Sequence, residues 1–170
     1  NSIAEMVHHD PRAADRMLVG LGALLRSSLD HQKSQLVPLR EELALLRHYL
    51  DIEKVRLGER LQLAWSIAPG LDGVRVPPLV LQPLAENAIV HAIARQRTPG
   101  RLVVRARIDG DMLVIEVENS IEPEQRPAPG AGTGLRSIRD RLRLLYAGRA
   151  TLEIDDAGAV AVAGELPIKI

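Results

Sequence analysis

The sequence contains no cysteine and no phenylalanine, and aromatic residues make up only 2% of its 170 positions. The lack of cysteine excludes disulfides and thiolate metal sites. The scarcity of aromatics excludes a platform on which nucleic-acid bases would stack. Lysine and arginine total 22, as do aspartate and glutamate, so the chain has no net charge. Because nucleic acids and anionic membranes attract clustered positive charge, we expect neither as a partner.

Long apolar runs are missing as well. No run approaches the roughly 20 residues that span a bilayer, and no signal peptide is present, so we expect no direct membrane contact by this chain. Hydrophobic residues nevertheless make up 46% of positions, enough for an aliphatic core. The first residues, Asn1-Ser2-Ile3, have the character of a helix interior, and we interpret the chain as a fragment.

Residues 1–57 are predicted to be helical. Asp10-Pro11 is typical of a helix start, because aspartate caps the first amides and proline suits the first helical position. Apolar residues then recur at three- and four-residue steps between 17 and 29, and a second striped helix is predicted from about Pro38 to Arg56. Such stripes need a partner, either the rest of the chain or a second copy, and both remain open.

After Gly58 the hydrophobic period changes, and alternation predicts strands. In chain order the predicted elements are a strand at 61–67, a helix at about 79–94, a hairpin of 102–108 and 113–117 around Asp109-Gly110, a Pro/Gly-rich loop at 120–133, a helix at 135–146 and a closing hairpin at about 152–166. This mixture predicts an α/β sandwich in which helices cover one face of a mixed, mostly antiparallel sheet.

The helix over residues 81–91 carries the first candidate functional residues. Gln82 and Glu86 share one polar face, and Asn87 and His91, four residues apart, share another. An amide oxygen and a carboxylate on one helix suit a hydrated Mg²⁺ ion, which takes oxygen ligands and retains several waters. The alternative is a solvated helix face.

A glycine-rich segment, Gly130-Ala131-Gly132-Thr133-Gly134-Leu135, opens the last major helix. Glycines let a ligand approach the backbone, and the amides at a helix start attract phosphate. The segment lacks the lysine of a P-loop, and its position disfavours a dinucleotide fold; the alternative is a flexible connector. Asn119, at the end of a hairpin strand, suits an adenine amino group, or else it starts a turn.

Taken in order, the polar helix, the hairpin ending in Asn119, the Pro/Gly loop and the glycine-rich helix start resemble the N box, G1 box, lid and G2 box of the GHKL ATPase and histidine kinase superfamily. The resemblance is closer to the LytS/YehU-like sensor histidine kinases, also typified by the alginate-type sensor AlgZ, and covers essentially the whole chain. The stretches that carry it are Val37 to Leu43, Tyr49 to Glu53 with Arg56, Pro77-Pro78, Leu81 to Ile89, and Gly134-Leu135 with Ile138-Arg139, Arg141-Leu142 and Leu145-Tyr146.

The resemblance implies a Bergerat α/β sandwich at residues 58–170 that binds ATP and Mg²⁺, preceded by a partial α-helical dimerisation region at 1–57. It implies that Asn87 ligates Mg²⁺ and that Glu86 orients or activates the acceptor histidine, which makes both of them candidate catalytic residues. The implied nucleotide-binding residues are Asn87, His91, Asn119, Gly130, Gly132, Thr133, Gly134, Leu135 and Arg139. Arg139 and Arg141 are alternatively surface charges.

The sequence departs from the family's pattern at several positions. Val90 stands where a lysine is frequent, Ala92 where a glycine is frequent, and Ser137 where an asparagine is common. Asn119 replaces the aspartate of the G1 box, and Ser120-Ile121 follows in place of the usual glycine. Because an amide accepts the adenine amino hydrogen without charge, weaker nucleotide binding is expected.

In this family the acceptor histidine belongs to a His-Phe-Leu-Phe-Asn motif, which we expect about two helical turns upstream of residue 1. His8 and His9 are interpreted as helix-end or surface residues. The fragment is therefore expected to bind nucleotide without autophosphorylation, while the parent transfers the ATP γ-phosphoryl group to its histidine and on to a response regulator. The alternatives are a nucleotide-binding regulatory module without phosphotransfer and a structural dimerisation or docking domain.

The resemblance also implies partners and a location for the parent protein. The parent is expected to be a homodimer, and its response regulator is a candidate for the LytTR class. This chain is expected to be the cytoplasmic portion of an inner-membrane sensor.

Overall fold

The computed structural model describes residues 35–120, 122 and 133–154, the backbone of 160–165, and three single helical positions, Pro11, Leu18 and Gly22. Most of the predicted first helix, most of the Pro/Gly-rich loop with Gly130 and Gly132, and the turn of the closing hairpin lie outside these residues. Of Thr133 only the backbone is described.

Apart from those three single positions, the described residues form three α-helices, α1 (Leu39–Leu57), α2 (Leu81–His91) and α3 (Thr133–Tyr146). Helices α1 and α3 confirm the predicted segments to within two residues. Helix α2 is shorter than the predicted 79–94, because Leu79 has φ +56°, outside the helical region, and the chain continues after His91 as a 3₁₀ turn. None of these helices has the length and apolar content to cross a membrane.

Two sheets accompany the helices. A short antiparallel pair joins β1 (Val37–Pro38) to β3 (Arg75–Val76). The main sheet contains β2 (Leu61–Ile67), β4 (Gly100–Asp109), β5 (Met112–Asn119), β6 (Ala150–Ile154) and β7 (Val160–Glu165), in the spatial order β2-β4-β5-β7-β6. Only the β2–β4 pair within this sheet is parallel, which confirms the predicted mixed, mostly antiparallel arrangement.

The core lies between the helices and one face of the main sheet. Val104 lies on this face of the sheet. It is buried, and it pairs with Trp65 on one side and with buried Val117 on the other. The leucine stripe of α1 joins the same core through Leu39, Leu43, Leu46 and Leu50. The apolar face predicted for this helix therefore finds its partner within the chain.

The opposite face of the sheet is polar at its centre. Arg105 pairs with Glu118 and Arg107 pairs with Glu116 across β4 and β5. The helices thus cover one face of the sheet, as predicted, and α2 is the helix that presents the candidate polar residues.

Candidate functional site

Helix α2 separates an apolar side from a polar side. Its buried residues, at helical spacing, are Leu81, Leu84, Ala85, Ala88 and Ile89. Because this side packs on the core, Glu86 is left exposed and Asn87 and His91 are half-buried. The predicted pairing of Asn87 and His91 on one face of the helix is what the structure contains.

A cleft of about 270 Å³ opens between α2 and the start of α3. The residues that line it are Pro83, Glu86, Asn87, Val90, His91, Gly134 and Leu135. Five of the predicted site residues therefore meet here, namely Glu86, Asn87 and His91 from α2 with Gly134 and Leu135 from α3. Pro83 was not among the predicted site residues, and Val90 was noted only as a departure from the family's pattern; their contribution to the cleft depends on how closely α3 approaches α2.

The close approach of the two helices depends on a glycine. A Cβ atom added to Gly134 would lie 3.2 Å from Cβ of Pro83, which is tighter than ordinary van der Waals contact. Next to Gly134, the buried side chain of Leu135 anchors the start of α3 in the core. The backbone at the beginning of α3 consequently faces the polar side of α2 without an intervening side chain at position 134.

The donor set of the cleft fits a magnesium-bound phosphate chain. Asn87 offers an amide oxygen, and the first turn of α3 provides amides that have no intrahelical partner. Nδ1 of His91 is buried and has no hydrogen-bond partner in the part of the chain that the structure describes. Since native proteins rarely bury a polar atom without a partner, this nitrogen fits a site with a polar ligand.

Two further observations limit what the cleft can hold. Within the described ranges, no group of three His, Asp or Glu side chains could bind a metal ion without other ligands. Mg²⁺ is commonly held by one or two protein oxygens together with substrate phosphates, so a single amide ligand is compatible with it. The volume is also smaller than the roughly 300–1,000 Å³ of a pocket that encloses a whole ligand, so these walls would hold only part of a nucleotide.

Tyr49, on α1, is partly buried and packs against the core. Burial raises the pKa of this phenol above its ordinary value, and the carboxylates of Glu53 and Glu86 raise it further. The folded chain therefore favours the neutral form of this phenol.

Asn119 lies apart from the cleft lining. It is the last residue of β5, and its side chain is buried on the helix-covered face of the sheet, with 6% exposed. Its Nδ2 donates to the carbonyl of Ser120 at 3.2 Å. The end of β5, where a contact with adenine was predicted, thus has a buried amide side chain. This side chain is not part of the described lining of the cleft between α2 and α3.

The segment after β5 is tied to the loop that precedes β4. The Ser120 hydroxyl accepts a hydrogen bond from the Arg101 amide at 2.9 Å. Glu122 accepts bonds from the amides of Arg97 and Thr98 and from the Thr98 hydroxyl, at 3.0, 2.9 and 2.7 Å. These bonds from Thr98 hold the pKa of Glu122 below its ordinary value. The beginning of the predicted Pro/Gly-rich loop is therefore anchored at its Asn119 end.

The remaining predicted residues are distributed as follows. Arg139 is exposed on α3 and does not line the cleft. Arg141, for which a surface role was the alternative, is half-buried and donates to the carbonyl of Pro78, just before α2. Gly130 and Gly132 lie outside the described residues, so their predicted contact with phosphates stays a prediction.

Glu42 is a residue of this region to which the sequence analysis assigned no role. Its side chain is only 1% exposed, and its carboxylate accepts hydrogen bonds from the amides of Leu79, Val80 and Leu81 at the start of α2. The stretch Val37 to Leu43 was part of the family resemblance, but nothing in its periodicity distinguishes Glu42 from exposed Glu41. The partners lie 37–39 positions away, beyond the reach of any local pattern.

Comparison with known proteins finds similarity to sensor histidine kinases. A family model of histidine kinases matches residues 1–61. The chain is 32% identical over 143 residues to the sensor histidine kinase BtsS of Escherichia coli (strain K12), which covers 84% of this chain and 25% of that protein. It is 29% identical over 166 residues to the sensor protein LytS of Bacillus subtilis (strain 168), which covers 91% of this chain and 28% of that protein.

A solved structure has the same fold. The histidine kinase domain of the blue-light activated histidine kinase from Erythrobacter litoralis EL346 matches with a TM-score of 0.57 at 19% identity, covering 96% of this chain and 80% of that chain. This likeness confirms the predicted α/β sandwich. The chain spans about a quarter of the length of the curated relatives it matches.

Proposed function

Because this chain belongs to the LytS-like family of sensor histidine kinases, we propose that it binds Mg²⁺·ATP in the cleft between α2 and α3, as the catalytic region of such a kinase. The proposed division of the chain is a helical region at residues 1–57 and an ATP-binding domain at 58–170. The observation that carries the proposal is the convergence of Asn87 and Gly134, from segments 47 positions apart, on one cleft.

The cleft residues have complementary proposed roles. The Asn87 side-chain oxygen coordinates Mg²⁺, and the amides at the start of α3, including those of Gly134 and Leu135, donate to phosphate oxygens. His91, the last residue of α2, supplies a further polar contact through its buried Nδ1. When bound, Mg²⁺·ATP supplies the phosphoryl group for transfer. Positioning and charge neutralisation provide most of the catalysis in such a reaction.

Glu86 has a separate proposed role. It is exposed at the rim of the cleft, so its carboxylate can reach a histidine that approaches from outside this chain. There it would orient the imidazole or accept its proton. We propose that the parent protein carries this histidine, acts as a homodimer in the inner membrane with this region in the cytoplasm, and passes the phosphoryl group to a response regulator of the LytTR class.

A second candidate function is supported by Asn119. An amide in place of a carboxylate makes a weaker bond to the adenine amino group, and here the amide nitrogen already donates to a neighbouring carbonyl. A module that binds nucleotide as a regulator, without phosphotransfer, would tolerate such a change. The two candidates share the cleft and differ only in whether the phosphoryl group leaves it.

Calorimetric titration with a non-hydrolysable ATP analogue, with Mg²⁺ and then with a chelator, tests nucleotide binding. We expect tighter binding with Mg²⁺, and we expect Asn87→Ala to abolish that difference. Ser137→Ala, on the exposed side of α3, is the matched control and should bind as the unchanged chain does. Absence of binding by the unchanged chain would refute both candidate functions.

A longer chain that includes the upstream histidine separates the two candidates. After incubation with labelled ATP, acid-labile label on the protein supports the kinase, and nucleotide binding without label supports the regulatory module. Glu86→Gln in the same chain should reduce labelling without weakening nucleotide binding, because the substitution removes a negative charge from the rim of the cleft.

A further inference from the structure

The backbone amides at the start of α2 donate hydrogen bonds to a carboxylate on another helix, α1. One oxygen of Glu42, on α1, accepts from the Leu79 amide at 2.7 Å, and the other accepts from the amides of Val80 and Leu81 at 2.9 and 3.2 Å. The Glu42 side chain and the residues Val80 and Leu81 are buried. Three amides without intrahelical partners thus share one acceptor in the interior.

The local sequence offers α2 no cap of its own. Val80 occupies the N-cap position and has a hydrocarbon side chain, and no side-chain cap bond is formed there. Pro77 and Pro78, just before it, lack an N–H altogether. Leu79 has φ +56°, a conformation that a leucine adopts rarely, and Glu42 holds its amide in place.

Contacts with α1 also occur further along α2. Tyr49 lies seven positions after Glu42, about 10 Å along α1, and Glu86 lies five positions after Leu81, about 8 Å along α2. Burial raises the pKa of the Tyr49 phenol, and the carboxylates of Glu53 and Glu86 raise it further. The two helices therefore pack against each other, and the Glu42 carboxylate joins α1 to the beginning of α2.

We propose that Glu42 is a positioning residue for the cleft, which fixes the rotation and the axial position of α2 and hence the direction of Asn87. This inference rests on the proposed function. The aliphatic side of α2 packs without strong directionality, whereas hydrogen bonds to a buried carboxylate constrain angle as well as distance. Asn87 lies six positions after Leu81, about 9 Å along the same rigid helix, so a rotation at the cap displaces its amide oxygen.

A conservative substitution tests the hydrogen bonds of Glu42 without changing the size of its side chain. Glu42→Gln keeps the length and one carbonyl oxygen, but its amide group offers donors where the three backbone amides need acceptors. The matched control is Glu41→Gln, which makes the same change at the adjacent, exposed position. Glu42→Asp retains the charge but moves the carboxylate back by the length of one methylene. This variant replaces Glu42→Gln in the experiment if the glutamine variant does not fold.

The first measurement needs no ligand. Amide hydrogen exchange of the folded chain should be faster at residues 79–81 in Glu42→Gln than in the unchanged chain, and it should be unchanged there in Glu41→Gln. Unaltered protection in the Glu42 variants would overturn the role of this carboxylate as a cap.

The second measurement tests the position of Asn87 through the magnesium dependence of nucleotide affinity. The affinity ratio of a non-hydrolysable ATP analogue with and without Mg²⁺ is determined at a temperature where circular dichroism gives the same folded fraction for all variants. We expect Glu42→Gln and Glu42→Asp to reduce this ratio about fivefold, with little change in metal-free affinity, and we expect Glu41→Gln to leave it unchanged. A purely structural cap would lower the melting temperature without changing the ratio.

The outcomes distinguish this inference from the function on which it rests. If the unchanged chain binds the analogue with a normal magnesium dependence and the Glu42 variants retain it, the positioning role is wrong and the proposed function stands. If the unchanged chain does not bind the analogue, both fail.

Discussion

Gly134 and Pro83 face each other across the cleft, so closely that a Cβ atom on Gly134 would lie 3.2 Å from Cβ of Pro83. One belongs to α3 and the other to α2, and both line the cleft. The narrow gap brings the amides at the start of α3 over the polar side of α2. A side chain at position 134 would occupy the space that the proposed phosphate contacts require.

Replacing Gly134 with alanine should therefore weaken nucleotide binding more than it changes stability. Alanine gains up to about 1 kcal/mol over glycine within a helix, and the tight contact with Pro83 offsets that gain, so we expect the free energy of unfolding to change by less than about 1 kcal/mol. The affinity for a magnesium-bound ATP analogue should fall about tenfold. Urea denaturation and calorimetry provide the two measurements.

Ser137→Ala, one turn further along α3, is the control for this substitution. It changes a residue of similar size on the same helix outside the cleft, and neither affinity nor stability should change appreciably. If Gly134→Ala binds the analogue as tightly as the unchanged chain, the phosphates do not lie against this part of α3.

The parts of the fold with a repeating pattern could be predicted from the sequence. Strand β2 and the hairpin of β4 and β5 follow from the sequence, because apolar and polar residues largely alternate along these strands. The hairpin turn follows from Gly110, whose φ of +59° glycine adopts without steric cost. The face shared by Asn87 and His91 follows from helical spacing alone.

The contacts that join distant segments could not be predicted in the same way. The bond from Arg141 to the carbonyl of Pro78 links positions 63 residues apart, and the parallel pairing of β2 with β4 links Leu61 to Gly100. Glu42 is the sharpest case, since a charged residue in an amphipathic helix is ordinarily solvated. Its burial follows from the unpartnered amides of α2, which become visible only once the two helices are packed.

The two tyrosines, Tyr49 and Tyr146, provide a spectroscopic test of this packing. Burial is the first cause that raises the pKa of each phenol, and neighbouring carboxylates add to it for Tyr49. We therefore expect less tyrosinate absorbance near pH 10 in the folded chain than in the chain unfolded in denaturant, which should titrate at about pH 10. Tyr146→Phe assigns the remaining titration to Tyr49.

The same shifts determine how stability depends on pH. Since the folded chain favours the neutral phenols, their contribution to stability is complete below the unfolded pKa of about 10 and declines as the pH rises towards the folded pKa. Tyr49→Phe should reduce this alkaline decline in the free energy of unfolding. A phenol of the folded chain that titrates at its ordinary pKa would contradict the burial described for it.

The end of α3 offers a stability prediction that is independent of function. Ala147 follows the last helical residue with φ +49°, and the next residue, Gly148, has φ +84°. Because the left-handed conformation disfavours residues with a Cβ atom, Ala147→Gly should raise the free energy of unfolding by about 1 kcal/mol. Gly148→Ala should lower it by a similar amount, since a Cβ there meets no neighbouring atom and the cost is conformational. Urea denaturation of both variants should therefore displace the midpoint in opposite directions, and equal midpoints would contradict this helix end.

Val90 allows the charge of the cleft to be changed without altering the fold. It is 43% exposed, and the described lining of the cleft contains the Glu86 carboxylate but no lysine or arginine. Among these described lining residues, a triphosphate would meet an acidic side chain and no side-chain cation. Val90→Lys should therefore tighten the binding of an ATP analogue about three- to tenfold at low salt, with a smaller gain at high salt because ions screen the added charge.

Ile108→Lys is the matched control for Val90→Lys, because it exchanges an equally exposed aliphatic residue, at the end of β4, for the same side chain. It changes the net charge of the chain by the same amount and lies outside the cleft lining. If both variants tighten binding equally, the gain reflects overall charge and not the position of the phosphates. A gain confined to Val90→Lys, and lost when Asn87→Ala is added, would place the phosphates beside α2, because the metal ligand and the new cation would then act on the same ligand.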